Sequence, residues 1–94
     1  MMERIKESIL EEVKRIGYLQ NDKYTMLHIT GLFDDMENEG EFVHHFERAL
    51  EELVIEGKLK RFEQGAYKHE GRYKTLSADL FADPRYNNPF EIVF

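Results

Sequence analysis

Ninety-four residues make one domain's worth of chain, enough for a single core. Apolar residues at 41%, with 13% aromatic, argue against wholesale disorder, and the lack of cysteine excludes a disulfide framework and thiolate metal ligation. A net charge of −6 opposes indiscriminate binding to nucleic acid or anionic lipid.

The N-terminus is charged from Glu3 onward, unlike a signal peptide, and no apolar run approaches the roughly 20 residues that cross a bilayer. The expectation is a cytoplasmic protein without a membrane partner. The charge is unevenly spread. Residues 1–33 are net zero, residues 34–56 net −8, residues 57–75 net +4 and residues 76–94 net −2. An acidic block followed by a basic block is the least ordinary feature of the chain.

Residues 3–16 read as a helix. Ile5, Ile9, Val13 and Ile16 recur at helical spacing, with Glu3, Glu7 and Glu11 early and Lys14 and Arg15 late, as the helix dipole prefers. Gly17 can close it in a left-handed conformation. Residues 24–29 suit a short strand or the start of another helix. Thr30 suits the N-cap of a short helix over residues 31–36. Residues 41–56 give the clearest helix. Phe42, Phe46, Ala49, Leu50 and Leu53 fall on one face, and Gly57 followed by Leu59 fits a glycine cap with its hydrophobic contact.

Beyond Gly57 the pattern changes. Residues 58–63 predict a strand, residues 64–71 a loop and residues 72–76 the return strand of a basic hairpin. Pro84 and Pro89 argue against a long helix in residues 77–94, whose apolar end needs cover.

The stretch ERALEELVIEGKLKRF (residues 47–62), followed by GRYKTL (residues 71–76), resembles the third helix and wing of winged helix-turn-helix proteins. The resemblance implies an α+β fold with three helices, a β-hairpin wing and a C-terminal tail. Residues 1–76 would form the winged-helix-like domain. Residues 77–94 would be a tail packing on it or on a second copy. It further implies a DNA-binding protein, a transcriptional regulator, perched on double-stranded DNA through its third helix and wing. The residues at matching positions are His44, His45 and Arg48 on the helix and Lys60, Arg61, Lys68, Arg72 and Lys74 on the wing. The alternative is a protein–protein module whose acidic helix docks on a basic partner, or a homodimer in which hairpin meets helix. The acids around Arg48 count against DNA, because each faces a line of phosphates.

Other chemistry is weaker. Residues 35–42 resemble the opening of a calcium loop, but Phe46 stands where a bidentate carboxylate is required. His44 and His45 are adjacent and diverge on a helix, and His28 and His69 lie far off in sequence, so no metal and no cofactor is expected. No nucleophile–base constellation or phosphate loop is present, so no catalysis is expected.

Overall fold

The computed structural model describes residues 2–21 and 39–92, with residues 39–42 described by backbone alone. The strand or helix expected over residues 24–29, the helix over residues 31–36 with its Thr30 cap, and the Phe42 side chain lie outside this description. The described residues form an α+β fold with two α-helices, α1 (Met2–Ile16) and α2 (Glu39–Ile55). Five strands accompany them: β1 (Tyr18–Gln20), β2 (Lys60–Phe62), β3 (Gly65–His69), β4 (Arg72–Leu76) and β5 (Leu80–Ala82). A 3-10 turn spans Pro89–Glu91.

Both helices end where glycine permits. Gly17 (φ 95°) and Gly57 (φ 77°) take the left-handed conformation. Beyond Gly57, the Lys58 and Leu59 N–H groups both donate to the Leu53 carbonyl, at 2.9 and 3.3 Å. This turns the chain sharply and buries Leu59. The helices pack through Ile5, Ile9 and Val13 on α1 and Phe46, Ala49, Leu50 and Leu53 on α2. Ile16, on the same predicted stripe, stays 44% exposed.

Lys6 is buried beneath this contact and bridges the helices. Its ammonium lies 2.9 Å from Glu56, 3.4 Å from Glu52 and 3.8 Å from Glu3. The hydrogen bond that Lys6 donates to Glu56 raises the Lys6 pKa, against the opposing effect of burial. The same bond holds the Glu56 carboxyl below its ordinary value.

The strand pairing differs from the expected simple hairpin. β2 pairs antiparallel with β5, and β5 also pairs with β1, so the sheet order is β1-β5-β2. β3 and β4 form a separate ladder. Residues 65–69, expected as loop, are strand. Only Glu70 and Gly71 turn the chain, both at positive φ (53° and 77°). A two-residue hairpin turn of this kind favours Asn-Gly or Asp-Gly; Glu in the first place hides it from sequence reading. The two ladders are out of step. Between the pairs Phe62↔Leu80 and Gly65↔Leu76, residues 63–64 face residues 77–79.

Residues 80–82, read from sequence as part of the tail, form the central strand and are buried on both faces. Phe81 faces the helices with Leu19. Leu80 and Ala82 join Phe62 and Leu76 on the opposite face, where Tyr86, Phe90 and Ile92 of the chain end cover them. The described residues are thus layered: helices, a small sheet, then residues 86–92 folded back over it.

Candidate interaction surface

Strand alternation divides the basic residues of residues 57–75 between two faces. On the side under the chain end, Lys60 donates to the Tyr86 carbonyl at 3.0 Å and its ammonium lies 5.2 Å from the Phe62 ring centre. Lys74 sits 5.6 Å over the Phe90 ring. Tyr67 packs edge-on between Phe62 and Phe90, at 6.4 and 6.3 Å. Asn88 fastens this cover. Its amide donates to the Lys68 carbonyl at 3.0 Å and its oxygen accepts from the Phe90 N–H at 2.9 Å.

On the helix side of β2, Arg61 is held by Asp79. Its Nε donates to Oδ2 at 2.9 Å, and the Gln64 N–H donates to Oδ1 at 2.9 Å. The Asp79 carbonyl also accepts from the Asn21 N–H at 2.9 Å. Asp79 therefore fills the step between the two ladders and ties β1 to it. Burial acts to raise the Asp79 pKa, but the hydrogen bonds from Gln64 and Arg61 outweigh it and leave the carboxyl below its ordinary value. The Asp79 hydrogen bond correspondingly raises the Arg61 pKa.

Two of the expected hairpin contacts remain outward. Lys68 and Arg72 are exposed near the hairpin tip, and neither side chain is ion-paired among the described residues. Tyr73, directly across from Lys68, is 76% exposed. Among the described residues, Lys68, Arg72 and Tyr73 are thus the unengaged side chains of this set, whereas Lys60, Arg61 and Lys74 are engaged within the fold.

On α2, His44 is exposed and His45 half-buried, their rings 6.0 Å apart and tilted. Arg48 lies 3.6 Å from Glu52, one turn on. Glu47 and Glu51 are exposed and make no ion pair among the described residues. Between them and the sheet runs a groove of about 500 Å³, with Leu50, Val54, Ile55 and Phe81 as its apolar part and Arg61 and Asp79 on its far wall. Ile55 is 83% exposed, a large apolar side chain standing among carboxylates. The eight sequence-derived residues do not form one positive surface. His44, His45 and Arg48 share α2 with the acids, and the hairpin cations are split between faces.

Sequence reasoning missed Asp79, Asn88 and Lys6. Asp79 and Asn88 act across a register that no local pattern encodes. Lys6 carried one local signal, a lysine beside the apolar stripe of α1. No family model, curated protein or solved structure matches the chain. Among the described residues, no helix is long and apolar enough to cross a membrane.

Proposed function

We propose that this chain is a winged-helix-type protein-interaction module whose α2 face docks on a basic protein surface. The observation that carries the reading is the composition of that face: Glu47 and Glu51 stand exposed and unpaired among the described residues, beside the exposed apolar Ile55. Exposed acids around an apolar contact suit a partner with cations around an apolar patch, since complementary charge steers and orients association. The winged-helix part is supported by the order helix, strand, helix, strand, hairpin, strand, by the sheet order β1-β5-β2, and by the hairpin carried between β2 and β5.

A second reading is backbone contact with double-stranded DNA through the hairpin tip. It is favoured by the exposure of Lys68, Arg72 and Tyr73 on an arm braced by Asn88 and Phe90. Magnitude decides against it as the first choice. Two phosphate contacts give a log–log salt slope of only about −1.8, a small share of what specific DNA-binding proteins use. The net charge of −6 also opposes the approach.

The test is a titration of the intact protein with a lysine-rich amphipathic peptide and with a random duplex, each at low and moderate salt. The proposal expects saturable peptide binding and no duplex binding at about 50 mM salt, where phosphate contacts are least screened. Duplex binding lost on Lys68→Ala with Arg72→Ala, without saturable peptide binding, would favour the second reading.

A further inference from the structure

A second concavity lies away from α2's outer face, where the end of α1, the turn after α2 and the turn after β5 meet. It measures about 310 Å³. Its floor is apolar, formed by Leu10, Val13, Leu59 and Tyr86. Its rim carries three cations from three separate chain segments: Lys14, Lys58 and Arg85. Arg85 is laid against Tyr86, with its guanidinium carbon 5.0 Å from the ring centre and Nη2 donating to the hydroxyl at 3.1 Å. That contact holds a long, otherwise mobile side chain at the edge of the floor.

We propose that this cleft binds a small organic anion, a carboxylate or phosphate ester with an aromatic or aliphatic body. The anionic group would sit at the rim and the hydrocarbon on the floor. The charge balance favours this. Asp83 also lines the cleft, 3.9 Å from Arg85 Nε, with its carboxylate accepting the Arg85 backbone N–H at 3.0 Å. Glu56 lies 3.7 Å from Lys58, but its other oxygen holds Lys6. The C-termini of α1, at Gly17, and of α2, before Lys58, each add about half an elementary negative charge. Three full positive charges exceed Asp83 and those two half charges together. Lys14 makes no ion pair among the described residues. The volume falls at the lower end of ligand sites, roughly 300–1,000 Å³, and an apolar floor with a few converging polar groups is their usual make-up. Helix C-termini commonly carry lysines to offset their dipole, which accounts for Lys14 and Lys58. It does not account for Arg85, which ends no α-helix and is placed by Tyr86.

The experiment is a titration followed through backbone amide shifts of the intact protein, with four probes: naphthoate, phenyl phosphate, inorganic phosphate and benzyl alcohol. The proposal expects saturable shifts at Val13, Gly17, Leu59 and Tyr86 with naphthoate or phenyl phosphate. Which of these binds more tightly assigns the anionic group. Inorganic phosphate and benzyl alcohol, each lacking one half of the ligand, should bind at least about tenfold more weakly, since burying an aromatic body or pairing the anion is each worth about 1.4 kcal/mol or more. Lys14→Gln and Arg85→Gln, both at exposed positions, should each weaken binding about fivefold, the size of one exposed charge pair. No saturable shifts in the wild-type protein, shifts that map elsewhere, equal binding of inorganic phosphate and phenyl phosphate, or affinity unchanged in both variants would overturn it.

Discussion

α2 and the β3–β4 hairpin carry opposite charge in the sequence, within blocks of net −8 and net +4, and the fold treats the two differently. On α2 the 3.6-residue period buries Phe46, Ala49, Leu50 and Leu53 and leaves Glu47 and Glu51 outward. On the hairpin one face lies under Phe90, and the other, with Lys68 and Tyr73, is open. Of the five cations on β2, β3 and β4, Lys60 and Lys74 turn under Tyr86 and Phe90 and Arg61 against Asp79, and Lys68 and Arg72 alone stay free of engagement among the described residues. A helix displays its charge by its own periodicity. A hairpin displays only what distant segments leave uncovered. Net charge in a stretch of sequence is therefore a better guide to a helical surface than to a stranded one.

The largest effect expected from breaking this contrast is in the core. Leu50→Ala should destabilise by about 2–5 kcal/mol, because a fully buried leucine on α2 supports both the helix pair and the sheet. Phe90→Ala, on a half-buried ring, should cost less, about 2 kcal/mol. It should also act locally, with amide exchange accelerated in β3 and β4 and little changed in α1. Urea unfolding with exchange mapping measures both. A global loss from Phe90→Ala equal to that from Leu50→Ala would erase the distinction.

Asp79→Ala should cost about 2 kcal/mol, the worth of charge-assisted hydrogen bonds to Arg61 and to the Gln64 N–H. It should free Arg61 as well, so the variant's affinity for a random duplex should rise. A variant of wild-type stability would show that the step between the ladders holds without its carboxylate. Asn88→Ala should cost about 1 kcal/mol, the worth of its two hydrogen bonds to the hairpin and the last turn. Unchanged exchange at Lys68 and Phe90 would contradict that role.

Acid should act through Glu56 and Asp79. Both carboxyls are depressed in the folded state, below ordinary values of 4.5 and 3.8. Their stabilisation is present above those values and is lost as pH falls through the lower folded ones. Lys6 is raised above 10.5, so its share is present below that pH and fades as pH rises through the higher folded value. Denaturation followed against pH should therefore show Lys6→Met flattening both limbs and Asp79→Ala flattening only the acid one. Identical acid profiles for wild type and Lys6→Met would remove the Lys6–Glu56 bridge from the account.

How much of this was legible follows the same contrast. The stripe Ile5, Ile9, Val13 and the stripe Phe46, Leu50, Leu53 were readable because a helix states its burial within one turn. Gly17 and Gly57 marked the helix ends for the same local reason. The central strand Leu80–Ala82 was not readable. Three residues carry too little periodicity, and their burial comes from distant segments, Leu19 and the helices over Phe81 and the returning Phe90 and Ile92 over Leu80 and Ala82. At the candidate surface, Arg48 and the α2 acids could be placed outward from sequence. Arg61 could not, because its partner Asp79 lies 18 residues away across an offset register.

The central claim is that α2's acids serve as a contact surface and are more than solubilising charge. Charge-matched variants measure this directly, with the lysine-rich amphipathic peptide as probe. Glu47→Gln with Glu51→Gln removes two charges from α2; Glu7→Gln with Glu11→Gln removes two from the exposed face of α1 and leaves the same net charge. The account predicts that the α2 pair weakens peptide binding about tenfold or more, at roughly 1 kcal/mol per contact, while the α1 pair binds as wild type. Equal weakening by both pairs would mean that the peptide reads only net charge, and would contradict a docking face on α2.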